Sequence, residues 1–155
     1  MIRVEAVRLG RVPDMNKLLD ECQGIMERFT DAVLHETATY PPRKYISVAE
    51  AGGWASDRQR RWFFWALREG KIEIPYKRTG TLGRSWQRRV ARETDSIVGV
   101  VGSQGQIAPY NVYVQGPQQS RMMELIGWKR IDNIYKPYWR KAIAEAKAAA
   151  GRLTK

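Results

Sequence analysis

The stretch SWQRRVARETDSIVGVVGS, residues 85–103, decides the fold class of this chain. Its first half has a strand-like mixture of polar and apolar residues. Its second half is rich in valine, a β-branched residue that strands prefer. The polar pair Thr94-Asp95 lies between the halves, where a tight turn is expected. The pattern therefore predicts two antiparallel strands joined by a short turn.

The sequence on both sides of this stretch extends the predicted sheet. In the segment KIEIP (71–75), polar and apolar residues alternate, which predicts a short strand before the hairpin. After a second turn at Gln104-Gly105, the segment YNVYVQG (110–116) predicts a further strand. Residues 71–116 are therefore expected to form an antiparallel sheet of about four strands.

A long amphipathic helix is predicted near the N-terminus. Asp14 has the position of an N-cap, and apolar residues follow at steps of three and four, which places them on one helix face. They are Leu18, Cys22, Ile25 and Phe29. The spacing predicts a helix over 14–36 with an acidic outer face, preceded by an arm or a strand at 1–13.

A second helix is predicted over 57–69 and is unusually aromatic. Ser56 and Gln59 have the spacing of a capping box, and Gly70 is suited to end the helix. Four aromatic residues follow one another at its centre, Trp62, Phe63, Phe64 and Trp65. A helix with so much apolar surface is expected to be covered on more than one side.

The last element is an alanine-rich helix over 137–150, with Pro137 in its first turn and Gly151 after its end. The 155 residues fit one domain. The expected fold is α+β: a long N-terminal and a C-terminal helix packed on the antiparallel sheet, with the aromatic-rich helix before the sheet.

Positive charge is concentrated in two blocks. The chain has a formal net charge of +11. Residues 57–92 hold 11 Lys/Arg against 3 Asp/Glu, and residues 121–155 hold 9 against 3, whereas residues 1–36 hold 5 against 7. Such blocks attract nucleic acid or an acidic partner surface, and they also occur as solvated faces.

No pattern in the sequence indicates an enzyme. His35 is the only histidine and Cys22 the only cysteine, which excludes a metal cluster of histidine and cysteine ligands and an internal disulfide. The segment KRTGTLG (77–83) lacks the spacing of a phosphate-binding loop, because its lysine precedes its glycines. It predicts instead an exposed loop that leads directly into the strand, with a turn at Gly80 whose backbone conformation other residues resist. We expect no catalytic residue, cofactor or metal, and no apolar run is long enough to cross a membrane.

Arginines lie beside tryptophans in two segments, 58–65 and 84–89. Nucleic-acid-binding proteins use arginine for phosphates and aromatic rings for base stacking, so a nucleic-acid-binding protein is an alternative function. The other interpretation places the tryptophans in the core, with the arginines extending over it. For the 62–65 cluster, the core interpretation is favoured, because so much apolar area is seldom exposed.

Two short motifs resemble a family from tailed bacteriophages, the tail-completion or head–tail joining proteins, also called minor tail or neck proteins. Members have a long N-terminal helix, a Thr-Gly-x-Leu-x-x-Ser segment, a Tyr-x-x-Tyr-Val-x-Gly segment and a C-terminal helix. The matching residues are Thr79, Gly80, Leu82 and Ser85 in the first motif, and Tyr110, Tyr113, Val114 and Gly116 in the second. Many members have an acidic residue before the last glycine, where this chain has Gln115.

The resemblance implies a structural protein of the virion without catalysis, assembled in the host cytoplasm. It implies a homo-oligomeric ring, sixfold or alternatively twelvefold, at the head–tail junction or the tail end. Other connector, tail-terminator or tail-tube proteins would be its neighbours, and packaged DNA could contact its basic residues.

The charge blocks suggest how such a ring would close. A head-to-tail interface pairs two different surfaces, and opposite charges favour that pairing. We expect the acidic first helix of one subunit to meet a basic block of the next, or the basic residues to face DNA. The candidate contacts are Asp20, Glu21, Glu27, Arg58, Arg60, Arg61, Lys77, Arg78, Arg84, Arg88 and Arg89.

Overall fold

The structure is a computed structural model, and it describes residues 14–44, 54, 56–71 and 78–153. Within them the chain is α+β, with helices and a two-stranded antiparallel sheet. In chain order the elements are α1 (Met15–Ala38), α2 (Asp57–Arg68), α3 (Thr81–Ser85), β1 (Trp86–Arg92), β2 (Ile97–Ser103), α4 (Asn111–Val114), α5 (Arg121–Leu125) and α6 (Ile131–Leu153).

Local signals at the ends of α1 and α2 are confirmed. The Asp14 carboxylate accepts a hydrogen bond from the backbone N–H of Lys17 at 3.1 Å. The Ser56 hydroxyl accepts one from the N–H of Gln59 at 3.2 Å. Both caps satisfy N–H groups that the first helical turn leaves without partners. Beyond α2, Gly70 has a φ of 65°, a conformation that glycine adopts without steric cost.

The hairpin of β1 and β2 packs one face on α1. Register pairs run from Trp86 with Ser103 to Arg92 with Ile97. Ile97, Gly99 and Val101 alternate toward the core, as the two-residue period of a strand requires. Since this side faces α1, the opposite side of the hairpin carries the alternate residues, including Arg89 and Val100.

Helices α1 and α6 run antiparallel and enclose the main core with the hairpin. Leu18 near the start of α1 packs with Ala149 and Ala150, and Phe29 meets Trp139 edge to face, with ring centroids 5.7 Å apart. The core is therefore three-layered, with α1 between the hairpin and α6. Its buried members are Leu19, Ile25, Met26, Phe29, Val33, Trp86, Ile97, Val101, Ile134 and Ala142.

The sheet has two strands, so the prediction of about four is wrong for the described residues. The segment predicted as a strand at 110–116 contains the helical turn α4, because burial there follows steps of three and four. Asn111, Val114 and Gln115 are buried, whereas Tyr113 is exposed. The predicted strand at 71–75 lies outside the described residues except for Lys71, and the arm at 1–13 lies outside them entirely.

Two further boundaries differ from the predictions. Thr81–Ser85 form the short helix α3, where the sequence suggested a loop leading directly into a strand. Helix α6 begins at Ile131, not at Pro137. A proline in the second turn removes one hydrogen bond to the carbonyl four residues earlier, that of Asn133. Pro137 and Asn133 are both exposed, so water can bond to that carbonyl.

Candidate functional site

The two motif segments, distant in sequence, pack against each other. Leu82 of the first motif and Val114 of the second are buried in one cluster with Ala108 and Trp128. Tyr40, which follows α1, covers this cluster, and its ring meets that of Trp128 edge to face at 5.1 Å. The motifs therefore build a second, smaller core beside the main one.

Each motif has a glycine at a position where a side chain would cause strain or a steric clash. Gly80 has a φ of 76° and precedes the first residue of α3, which confirms the prediction of a turn that other residues resist. Beside it, the hydroxyls of Thr79 and Thr81 are hydrogen-bonded at 2.8 Å. A Cβ at Gly116 would lie 2.6 Å from Cα of Val112, so only glycine fits that close turn.

Two polar side chains connect the motifs to the rest of the core. The buried Ser85 hydroxyl donates to the carbonyl of Leu82 at 2.7 Å and is hydrogen-bonded to Ser103 at 2.8 Å. Gln115 is 1% exposed. Its Oε1 accepts from Trp86 Nε1 at 3.2 Å, and its Nε2 donates to the carbonyl of Thr37 at 3.2 Å. Gln115 thus joins the second motif to β1 and α1.

The two motif tyrosines stay at the surface. Tyr110 is 44% exposed and Tyr113 is 53% exposed. They are three residues apart across a helical turn, which places them as neighbours on one side. Partial burial, with a smaller effect from Tyr40, raises the pKa of Tyr110 above its ordinary value. On the opposite, buried side of the same turn, Asn111 Oδ1 has no hydrogen-bond partner in the described part of the chain.

The acidic face of α1 is occupied by basic residues of the same chain. Asp20 pairs with Arg92 of β1, and the Glu21 carboxylate accepts from Arg152 of α6 at 2.6 Å. Glu27 makes a hydrogen bond with Gln23 at 3.1 Å. Two further pairs of this kind are Asp31 with Arg88 and Glu36 with Lys129. The hydrogen bond and charge of Glu36 raise the pKa of Lys129.

Several predicted basic contacts are used inside the subunit. Arg78 donates to the carbonyl of Pro41, and Arg84 donates to the carbonyl of Thr79 at 3.2 Å. Arg88 pairs with Asp31 on α1, whereas Arg89 is exposed on the hairpin face that points away from α1. Lys77 lies outside the described residues.

The prediction that the aromatic cluster of α2 belongs to the core is wrong for three of its four rings. Phe63 is buried at 5% exposure, but Trp62 is 56%, Phe64 44% and Trp65 40% exposed. In the described chain, neither α1, α6 nor the hairpin packs closely against α2. The predicted contacts Arg58, Arg60 and Arg61 are exposed with these rings. Sequence reasoning missed Arg68, which is also exposed and follows Trp65 by one helical turn.

The described residues hold no cluster of three or more histidine, cysteine or acidic residues that could bind a metal. His35 is exposed in the last turn of α1. Cys22 is half-buried, and burial, with a smaller effect from Glu21, raises the pKa of its thiol, which disfavours the reactive thiolate. Among the described helices, none has the length and apolar character needed to span a membrane.

The chain was compared with models of protein families, with curated proteins and with solved structures. None of the three comparisons finds a significant match. The fold and the surfaces described above are therefore the basis for any functional conclusion, together with the two motifs.

Proposed function

We propose that this chain is a non-enzymatic structural subunit of a tailed-bacteriophage particle. In this proposal it forms a ring at the head–tail junction or the tail end and contacts other connector or tail proteins. The proposal starts from the resemblance of the two motifs to those of the tail-completion proteins. It is supported by the contrast between buried and exposed residues within the motifs.

One observation carries the proposal. Leu82, Ser85 and Val114 are buried and build the fold, but Tyr110 and Tyr113 contribute little to the core. Tyrosine is enriched at protein interfaces, because it combines a large apolar ring with a polar hydroxyl. The exposed tyrosines therefore suit a contact with a neighbouring subunit.

The ion pairs refine the proposed charge contact between subunits. Four of the five carboxylates in α1 already pair within the chain, so they offer a neighbour little free charge. Glu27 is the remaining one, and its hydrogen bond is to Gln23 on the same helix. We therefore propose Glu27 as the acidic residue of α1 that is best placed to meet a basic block of the next subunit.

The location of the chain in intact particles tests the proposal directly. We expect antibody labelling or cryo-electron microscopy of purified particles to find the chain at the neck or the tail end. Absence of the chain from purified infectious particles would overturn the proposal.

Oligomeric state tests the proposed contact. We expect Tyr110→Ala with Tyr113→Ala to abolish ring formation in native mass spectrometry, while the free energy of unfolding of the subunit stays within about 1 kcal/mol, since exposed side chains contribute little to stability. Met15→Ala, which removes a residue that is 46% exposed on α1, is the matched control and should leave rings intact.

Charge reversal separates the two kinds of acidic residue. Glu27→Lys is expected to weaken rings at low salt without destabilising the subunit. Asp20→Lys breaks an ion pair with Arg92 inside the subunit, so it should lower stability first. Rings that withstand both the tyrosine variant and Glu27→Lys would contradict both proposed contacts.

A further inference from the structure

One face of α2 combines arginine and tryptophan. At 100° per residue, five residues of this helix fall within a sector of about 120°. We call this surface the Arg–Trp face; its members are Arg58, Arg61, Trp62, Trp65 and Arg68. The buried residues Phe63 and Ala66 lie outside this sector, so the Arg–Trp face is the side that α2 presents to its surroundings.

The two tryptophans of this face are accessible. Trp62 is 56% exposed and Trp65 is 40% exposed, although tryptophan is on average one of the more buried residues. The Lys71 ammonium lies 4.0 Å from the centroid of the Trp65 ring, in a cation–π contact. Lys71 thus covers one face of the Trp65 ring and adds a cation beside it, whereas the exposure of Trp62 leaves that ring accessible to a ligand.

The charge of the face is positive and poorly compensated. Arg58 and Arg61 have no ion pair within the described residues. The Arg68 pair with Glu69 at 3.6 Å is solvent-exposed, and such pairs contribute little. A second α2 would therefore be repelled, and α1 of another copy offers few free carboxylates. The charge of this face therefore favours an anionic ligand over a second copy of α2.

The arrangement distinguishes between anionic ligands. A helix that lies on a lipid surface separates a continuous apolar face from a charged face. Here the arginines and tryptophans share one sector. Trp62 and Trp65 are three residues apart, so their Cβ atoms are about 5–6 Å apart, and arginines flank both. Proteins that bind single strands combine a positive surface with aromatic rings in this manner.

We propose that the Arg–Trp face of α2 binds single-stranded nucleic acid, with tryptophans stacking on bases and arginines contacting phosphates. The second basic–aromatic segment, 84–89, does not share this function, because Trp86 is buried at 9% exposure and Arg88 is paired with Asp31. The inference is independent of the particle proposal, since it rests on α2 alone.

The test uses the full chain and a fluorescein-labelled oligothymidylate of about 30 nucleotides, longer than the roughly 4–16 nucleotides of typical single-strand sites. Binding should quench tryptophan fluorescence and weaken as salt rises. Trp62→Ala with Trp65→Ala should reduce affinity by about tenfold or more, while the corresponding phenylalanine variant keeps most of the affinity. Circular dichroism checks that each variant is folded.

Two variants that remove the same charge at different places distinguish the effect of the Arg–Trp face on affinity from the effect of net charge. Arg58→Ala with Arg61→Ala should reduce the slope of log affinity against log salt by about 1.4, at about 0.7 per phosphate contact. Lys136→Ala with Arg140→Ala removes the same charge from the exposed side of α6 and should change the affinity far less.

Three results would overturn the proposal. One is an equal loss of affinity in both charge variants. Another is binding of a duplex of the same length as tightly as the single strand, with no dependence on Trp62 and Trp65. The third is binding to vesicles of anionic phospholipid through these tryptophans, without binding to the oligonucleotide.

Discussion

At the scale of single residues, Gly99 controls how closely the hairpin approaches α1. A Cβ at this position would lie 2.5 Å from Met26 Sδ and 2.9 Å from Thr30 Cγ2. Thr30 is fully buried, and its hydroxyl donates to the carbonyl of Glu27, so it has little room to move. The missing side chain at Gly99 therefore sets the distance between two layers of the core.

Gly99→Ala is accordingly expected to destabilise the chain by about 1–3 kcal/mol, the usual cost of overpacking a core. Gly102 lies on the same strand, and a Cβ added there would have no atom within 4 Å, so Gly102→Ala is the control and should be nearly neutral. Urea unfolding followed by circular dichroism measures both. Equal effects of the two substitutions would show that strand propensity, not packing on α1, decides the result.

Gln115 is the second residue whose chemistry can be tested. Its amide donates to one group and accepts from another, a combination that an ionised carboxylate cannot reproduce. Gln115→Glu would place a carboxylate against the carbonyl of Thr37. We expect a loss of about 2–3 kcal/mol at pH 7, because a buried charge would face an acceptor.

The pH dependence of Gln115→Glu follows from this placement. Burial and the Thr37 carbonyl favour the protonated acid, so the folded-state pKa of the new carboxyl should exceed its unfolded value of about 4.3. The folded state then binds more protons, so the penalty is greatest above the folded pKa and disappears as pH falls below about 4.3. Gln115→Met, which carries no charge, is the control. An equal pH dependence in both variants would contradict this account.

At the scale of elements, three helix ends could be predicted from local sequence, whereas the structure of segment 110–116 could not. Asp14, Ser56 and Gly70 act through groups within a few residues of themselves, so the local sequence contains the whole signal. The 110–116 segment fits both a two-residue and a three-to-four-residue period over its short length. Burial of Val114 against Leu82 and Trp128 decides in favour of the helical turn, and no local pattern contains those contacts.

Helix α1 contains a glycine that its packing does not require. A Cβ at Gly24 would meet only the Arg28 guanidinium, at an ordinary 3.6 Å. We expect Gly24→Ala to stabilise the chain by about 0.5–1 kcal/mol through helix propensity. Thermal unfolding measures it, with Ala32→Gly on the same helix as the control of opposite sign. A destabilised Gly24→Ala variant would show that the added methyl group disturbs the packing around α1 more than it favours the helix.

At the scale of the whole molecule, the sequence predicted the fold class, the two long helices and the central hairpin. It could not predict which charged groups meet, because Asp20 and Arg92, or Glu21 and Arg152, come together only in the folded chain. The exposure of Trp62 and Trp65 could not be predicted from the sequence either, because the hydrophobicity of these side chains favours a prediction of burial. Only the lack of a close-packed neighbour among the described elements shows that these rings are open.

The central position of α1 also has a consequence for synthesis of the chain. The residues that pack on it and neutralise it come from the hairpin and from α6, the latter at 131–153. Contacts of such long sequence separation slow folding, because the intervening loop has to close first. Of the described elements, the hairpin is synthesised before α6, so α1 can cover one side of its apolar surface early and completes its burial only after α6 has left the ribosome.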